Sequence, residues 1–557
     1  MRIAVIQLAR LGDILQTLPT LAGLKARHPG CIIDLVVREK FIDAAMLSPH
    51  ADRVIALPTK AIMEPLIRDG GKKEDPQRKA LSLAHLITWV ADQFLENTHK
   101  LGPYDMVINL TFSEASSYLC QLIPGMDRRG LKRAQDGAYA VDDPWSAYLY
   151  AQVLRKNMNI IHLNDLFARI AGVAVLPVEP ATRGYDSSYN FGKLAIGLQL
   201  GASQSSKTLN PKAWGVLAEE ILKALPEAQL VLFGSREDKK KAQALMATLS
   251  KDNKARCTSL VGRLRYSDIV PWVKRCHYMI TPATAMVHLA PLCGVKTINV
   301  SVGGVNPFET GPYGEGHYVL RPTDGGFDAG IPALAESVID LIMGESAGIK
   351  VPCYRTHTVT LSDGTTRSAL VPMNVAVNEI QNLFEQAYYL IAEFRGSGRL
   401  EDTPVPTIGS PDQPHYFADL KLAIDALDTT RKLAEFGRTY CMKMIENPGE
   451  KLLLQELGAK ISEIESLYRN LHAAVPFVRP LLDAWEVAKE NVLGDAIEEL
   501  ASLTESTFRE LIQNIDMTNQ LIQLALAAAE KRLDAGADAA TPTAEPSATE
   551  RGEESIT

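Results

Sequence analysis

Short, uninterrupted apolar runs separated by amphipathic stretches fill the first part of the chain. Residues 2–8 (RIAVIQL) predict a strand buried on both faces, followed by a loop and an amphipathic helix from about 13 to 27. Residues 32–37 (IIDLVV) and 106–110 (MVINL) predict further strands. Continuous Val/Ile/Leu runs alternating with helices belong to a parallel sheet covered on both faces. The grammar restarts at 194–200 (LAIGLQL), followed by a helix over 211–225 and a strand at 229–233 (QLVLF). Strands at 278–281 and 297–302 flank a helix beginning near Met286. Each half opens with a strand, a glycine-containing loop and a helix, which predicts an α/β protein of two Rossmann-like domains facing a cleft, 1–188 and 189–345. Neither half carries G-x-G-x-x-G, so an ordinary NAD-binding domain lacks its fingerprint.

Beyond residue 345 the pattern changes. Residues 346–414 hold a hairpin at 354–371 around Asp363-Gly364, a helix at 374–395 and a Pro/Gly-rich linker over 396–414. From 415 to 533 the residues are helix formers. Leu452, Leu453, Leu457, Ile461, Ile464 and Leu467 recur at helical spacing, predicting an appended bundle of three or four long helices. Residues 534–557 are rich in Ala, Thr, Pro and Glu and are expected to be disordered.

A chain of 557 residues, 46% hydrophobic and 22% charged, is long enough for several cores. Of the net charge of −8, −5 lies in residues 534–557, where six acids face only Arg551. Nucleic acid is therefore not an expected partner. Seven scattered cysteines without a CxxC pair point to free thiols in a reducing compartment. The N-terminal stretch has charges inside its apolar run and no A-x-A site, so it does not read as a signal peptide. With no apolar run of 18 residues, the expectation is a cytoplasmic protein with at most peripheral membrane contact.

Four clusters follow strands and can carry chemistry. Asp13, after Gly12, either caps the first helix or presents a carboxylate at the carboxyl end of a parallel strand, as a general base on a hydroxyl. The loop Gly201-Ala-Ser203-Gln-Ser-Ser-Lys207 is either solvated or supplies hydroxyls, N–H groups and one cation to phosphate. Trp214, beyond it, is expected in the core. Glu237, in Gly234-Ser-Arg-Glu237, either accepts from ribose hydroxyls or favours a helix N-terminus. The turn from Thr281 to His288 can direct N–H groups at an anion, with His288 either structural or part of the site.

In this order the clusters resemble glycosyltransferase family 9, the family of the bacterial ADP-heptose:lipopolysaccharide heptosyltransferases. The likeness runs through 3–37, YDMVINL (104–110), Arg128-Arg129-Gly130, IHLNDLFARIAGV (161–173), IGLQLGAS with Lys207, LVLFGSRED (230–238), LVGRL (260–264), residues 286–300 and GPYG (311–314), about residues 1–345 in all. It implies a GT-B fold and an inverting, metal-independent transfer from a nucleotide-sugar, ADP-heptose in the family, with no further cofactor. By this resemblance Asp13 is the base, and Gly12, Arg128 and Arg129 lie on the acceptor side. Ser203 and Lys207 face the donor's phosphates, Glu237 its ribose, and Gly262, Thr284 and His288 complete the donor side. The family's Asp-Thr-Gly is here Ala283-Thr284-Ala285, which removes a sugar-recognising carboxylate.

Three functions follow as expectations: transfer to lipopolysaccharide core, the same chemistry on a protein acceptor such as flagellin recruited by the helical extension, or an inactive scaffold. The extension is also a candidate for oligomerisation.

Overall fold

The computed structural model describes residues 1–63, 76–134, 137–154, 159–182, 191–322, 330–360, 364–375, 379–397, 416–492, 494 and 496–534. The first domain is built on a five-stranded sheet in the order β3-β2-β1-β4-β5, comprising β1 (Arg2–Gln7), β2 (Ile32–Arg38), β3 (Arg53–Leu57), β4 (Tyr104–Asn109) and β5 (Gly125–Gly130). All its pairings are parallel. Every residue of β1 is buried, as its unbroken apolar run requires when helices cover both faces. A two-stranded ribbon, β6 (Lys132–Arg133) and β7 (Tyr139–Ala140), follows β5.

The second domain repeats this order in β8 (Leu194–Gln199), β9 (Ala228–Phe233), β10 (Cys257–Ser259), β11 (Tyr278–Pro282), β12 (Lys296–Val300) and β13 (Tyr318–Leu320). Two more strands, β14 (Cys353–Thr360) and β15 (Thr366–Pro372), extend the sheet to eight, in the order β10-β9-β8-β11-β12-β13-β14-β15. The hairpin expected after the second domain is thus part of that domain's sheet, with β14 antiparallel to β13. Gly364 takes φ +79 at its turn, while Asp363 lies outside the described residues. Trp214 is in the core, its indole N–H on Thr208 Oγ1 at 3.2 Å.

In both sheets the strand order reverses beside the first strand, between β1 and β4 and between β8 and β11. Loops after these strands diverge and leave a crevice, the usual ligand position in open α/β sheets.

A helix over Glu379–Ser397 leads to four more, Tyr416–Glu446, Lys451–Ala474, Arg479–Glu490 and Ile497–Asp534. Trp485 lies 5.1 Å from the ring of Tyr468 and 5.2 Å from that of Phe508 in their core. In Lys451–Ala474 the buried stripe is Leu454, Leu457, Ile464 and Tyr468, whereas Leu452 is 84% exposed. Sequence spacing located an apolar face here but included Leu452 and Leu467, which packing leaves outside. The bundle rests on the first domain, with Arg479–Glu490 against Pro144–Tyr148 and the turn that follows it. Asn491 bonds both backbone groups of Val141, accepting its N–H at 2.9 Å and donating to its carbonyl at 2.7 Å. The expected linker from residue 398 onward and the expected disordered tail from 535 lie outside the described residues. Among the described residues no helix is long and apolar enough to cross a membrane.

Candidate active site

The Asp13 loop of the first domain is fixed by buried polar groups at the end of β1. Gln7, a polar interruption at the end of an apolar strand, donates to Thr17 Oγ1 (3.2 Å) and accepts from Thr111 Oγ1 (3.0 Å) and from the N–H of Ala9 (3.2 Å). Thr111, after β4, also accepts the N–H of Leu8 at 2.7 Å. The loops on either side of the switch point are thereby tied together. Arg38, at the end of β2, donates to the Ala9 carbonyl.

The helix then starts at Leu11, two residues earlier than its apolar spacing predicts. Asp13 is its third residue, and its Oδ2 accepts the Arg10 N–H at 2.8 Å. The capping role is therefore real, although Asp13 reaches back from inside the first turn instead of standing as the N-cap residue. One carboxylate oxygen serves this bond. Burial raises the pKa of this half-buried acid, opposed by the Arg10 N–H and the charges of Arg10 and Arg38.

On the opposite side, five loops converge at the carboxyl ends of β8 to β12. Gly201 stands so close to Asp238 that a Cβ would lie 2.0 Å from Oδ2, so the loop after β8 rests on the acid that caps the loop after β9. Asp238 accepts from the N–H (2.9 Å) and hydroxyl (2.7 Å) of Ser235 and from Lys241 (2.8 Å). Burial opposes its ionisation, but Lys241 and Ser235 hold it below the ordinary carboxylate value. Gly262, at φ +66, packs on Arg236, where a Cβ would come within 3.0 Å of Cα. Gly303, at φ +73, packs on the Ser206 carbonyl in the same manner, which braces the half-buried Lys207 turn. Thr284 accepts the Met286 N–H at 3.3 Å and lies 3.2 Å from the Thr281 hydroxyl, capping the turn into Met286–Leu292.

The two sides meet at Gly12 and His288. A Cβ on Gly12 would lie 3.1 Å from Cδ2 and 3.3 Å from Nε2 of that ring, and 3.9 Å from Cα of Ala285. His288 is buried, and desolvation, helped by His162 nearby, pushes its pKa down to about 3, so it is neutral. His162 is also neutral, with a pKa near 4 from burial. Its Nε2 is 3.0 Å from the Gly311 carbonyl and its Nδ1 accepts the Asn164 N–H, which assigns the Nε2–H tautomer. Further bonds bridge the domains: Gln16 to the Glu309 carbonyl (3.3 Å), Asn159 to the Glu309 carboxylate (3.3 Å), and Tyr313 to Asp165 (2.6 Å).

Of the candidates from sequence, Gly12, Asp13, Thr284 and His288 are brought to one place, at the facing switch points. Ser203, Lys207, Glu237 and Gly262 lie on the carboxyl-end loops of the second sheet. Glu237 is fully exposed, and a hydrogen bond from the Ser235 side chain lowers its pKa. The two arginines have other partners. Arg128 donates to the carbonyls of Cys120 (3.0 Å), Gly125 (2.7 Å) and Ile123 (3.0 Å), closing the end of helix Glu114–Leu122. Arg129 donates to Asp127 (3.0 Å) and to the Ala171 carbonyl (2.7 Å). Sequence reasoning passed over Gln7, Thr111, Arg38 and Glu309; only Gln7 carried a signal, as the polar residue in the buried run. Phe112 and Leu131, directly after β4 and β5, pack with Val487 and Ala484 of the bundle, so the extension borders the edge that carries the Asp13 loop. Among the described residues no three His, Cys, Asp or Glu side chains gather as a metal site.

Two Rossmann-like sheets with their switch points facing across a cleft define a GT-B protein, and the appended helices do not alter that core. Residues 97–324 match the family model of glycosyltransferase family 9 (heptosyltransferase). Asp13 precedes the matched segment, and β14, β15 and the bundle follow it. Among solved structures, the chain is similar to a glycosyl transferase family 9 protein from Veillonella parvula DSM 2008, with 20% identity over 58% of this chain and 88% of that one and a TM-score of 0.44. It is also similar to E. coli ADP-heptose lps heptosyltransferase II (17%, 62% and 100%, 0.45) and to E. coli heptosyltransferase WaaC with ADP-2-deoxy-2-fluoro heptose (18%, 62% and 99%, 0.43). No curated protein matches the chain.

Proposed function

We propose that this protein is an inverting glycosyltransferase that moves a sugar from a nucleoside diphosphate donor, ADP-heptose by family likeness, to a hydroxyl of lipopolysaccharide core. The supporting observation is the seating of Gly12 on His288, which sets the Asp13 loop against the turn that faces the donor. In this reading Asp13 removes the acceptor proton as the hydroxyl attacks the anomeric carbon from the face opposite the diphosphate. Lys207, the Ser203 hydroxyl and the Thr284 turn stabilise the departing diphosphate without a metal ion, while Glu237 holds the ribose. Gly262 keeps the donor-side loops close-packed. Arg128 and Arg129, which brace the first domain through backbone carbonyls and Asp127, border the acceptor side with Gly12 in this reading.

A second reading keeps this chemistry and changes the acceptor to a protein. It is favoured by one observation, the packing of the bundle on the loops after β4 and β5. The test is transfer of labelled heptose from ADP-heptose, with chelator present, to core-truncated lipopolysaccharide and to unglycosylated flagellin. Label on the glycan that disappears with Asp13→Asn supports the first reading, and label on flagellin supports the second. Transfer to neither, with no donor turnover, contradicts both and favours a scaffold.

A further inference from the structure

We infer that the chain holds a second small-molecule site, for an amphipathic acid, where the two α/β domains meet the β14–β15 hairpin. A cavity of about 600 Å³ lies there, of the size that holds a small ligand. Its walls are largely apolar, with Leu15 and Pro19 of the first domain facing Leu176 of the connecting segment and Pro291 of the second domain. Polar side chains interrupt them, and three of these carry unsatisfied atoms. Asn164 Oδ1, His288 Nδ1 and Arg367 Nε are each buried without a hydrogen-bond partner. Asn164 and His288 are 3% and 8% exposed, so bulk water does not serve them.

Buried polar atoms are nearly always paired, and three unpaired ones around a single cavity are the mark of an occupant that supplies the partners. The same cavity is not the cleft around Asp13. The Cδ2–Nε2 edge of His288 lies against Gly12, so the ring stands between the Asp13 loop and this space.

The charge selects the ligand. Among the described lining residues Arg367 is the sole lysine or arginine, its guanidinium seated 4.5 Å over the ring of Tyr389 from the extension. Among the described lining residues the one carboxylate, Glu179, is mostly exposed and paired with Lys274. An acid headgroup on Arg367 with an apolar body along Leu15, Pro19 and Leu176 complements both parts of the wall. Arg367 lies beyond the segment matched by the family model, so this site belongs to the extended chain.

The test is calorimetric titration of the full chain with octanoate, octyl phosphate and octanol. Both variants below are first checked for a cooperative unfolding transition and unchanged circular dichroism. At least one of the two acids is expected to bind saturably and more tightly than octanol, and which of them does so identifies the headgroup. Arg367→Gln should weaken the acid by about tenfold or more while leaving octanol unchanged. Leu176→Trp, which fills the cavity, should abolish binding. The inference is overturned if neither acid binds, if octanol binds as well as the acids, or if a folded Arg367→Gln variant binds the acid as the native chain does.

Discussion

Gly12 and His288 touch across the cleft, with room for a hydrogen but not comfortably for a methyl group between them. The Cβ of Gly12→Ala would stand 3.1 Å from the imidazole, and the ring is buried, so relief requires the domains to part or the Asp13 loop to shift. Overpacking of this kind costs about 1–3 kcal/mol. A lower melting temperature together with slower transfer is expected. An unchanged melting temperature and rate would show that the two domains do not meet here in solution.

Asp13→Asn separates chemistry from capping. The amide oxygen can still accept the Arg10 N–H, so helix Leu11–Arg27 should keep its start and stability should fall by less than about 1 kcal/mol. The proposed general base is lost, and the rate should drop about 10²- to 10⁴-fold. Because the carboxylate is the active form and burial raises its pKa, the rate of the native enzyme should climb with pH through a value above 3.8. Steady-state kinetics over pH 4–8 with circular dichroism on the same samples checks both halves.

Asp165 gives a stability signature independent of catalysis. Burial pushes its pKa from 3.8 up to about 7, with Tyr313 opposing. Between these values the folded protein binds the proton that the unfolded chain has released. Stability should therefore fall as pH rises from about 4 to 7 through this group, and then level off. In Asp165→Asn, which still accepts from Tyr313, that slope should be absent. Urea midpoints at pH 5 and pH 8 for both proteins decide it.

The docking of the bundle turns on Asn491. Asn491→Ala leaves the N–H and carbonyl of Val141 without their partners, at a cost of about 1–3 kcal/mol for a buried group. Faster hydrogen exchange at Val141 and along Arg479–Glu490, with Lys451–Ala474 unchanged, is expected. Unaltered exchange at Val141 would contradict this anchor.

What the sequence disclosed follows from how local each feature is. The strand 2–8 and the Gly12-Asp13 turn were legible because an apolar run ended by glycine and a carboxylate is a local pattern. The hairpin was legible as a hairpin, but its pairing with β13 depends on a surface formed by residues far along the chain. The fates of Arg128 and Arg129 were hidden for the same reason. Apart from Asp127, which Arg129 also bonds, their partners are backbone carbonyls of the 120–125 segment and of Ala171, groups that every residue carries and that no sequence pattern marks. Glu309 accepts from its neighbour Asn306 and, across the domains, from Asn159, a contact invisible until both sheets are in place.

On the proposed function, the facing switch points bind a nucleoside diphosphate. Thermal unfolding of the native chain and of Lys207→Ala with ADP, UDP, GDP or CDP tests it most directly. A ligand at 100 times its dissociation constant should add about 2.7 kcal/mol of stability. Stabilisation by ADP above the other three is expected, with a loss of about tenfold or more in affinity in Lys207→Ala. Stabilisation by a different nucleotide, abolished by the same substitution, would retain the transferase and discard the heptose donor. No stabilisation by any of the four would show that the facing switch points bind no nucleoside diphosphate.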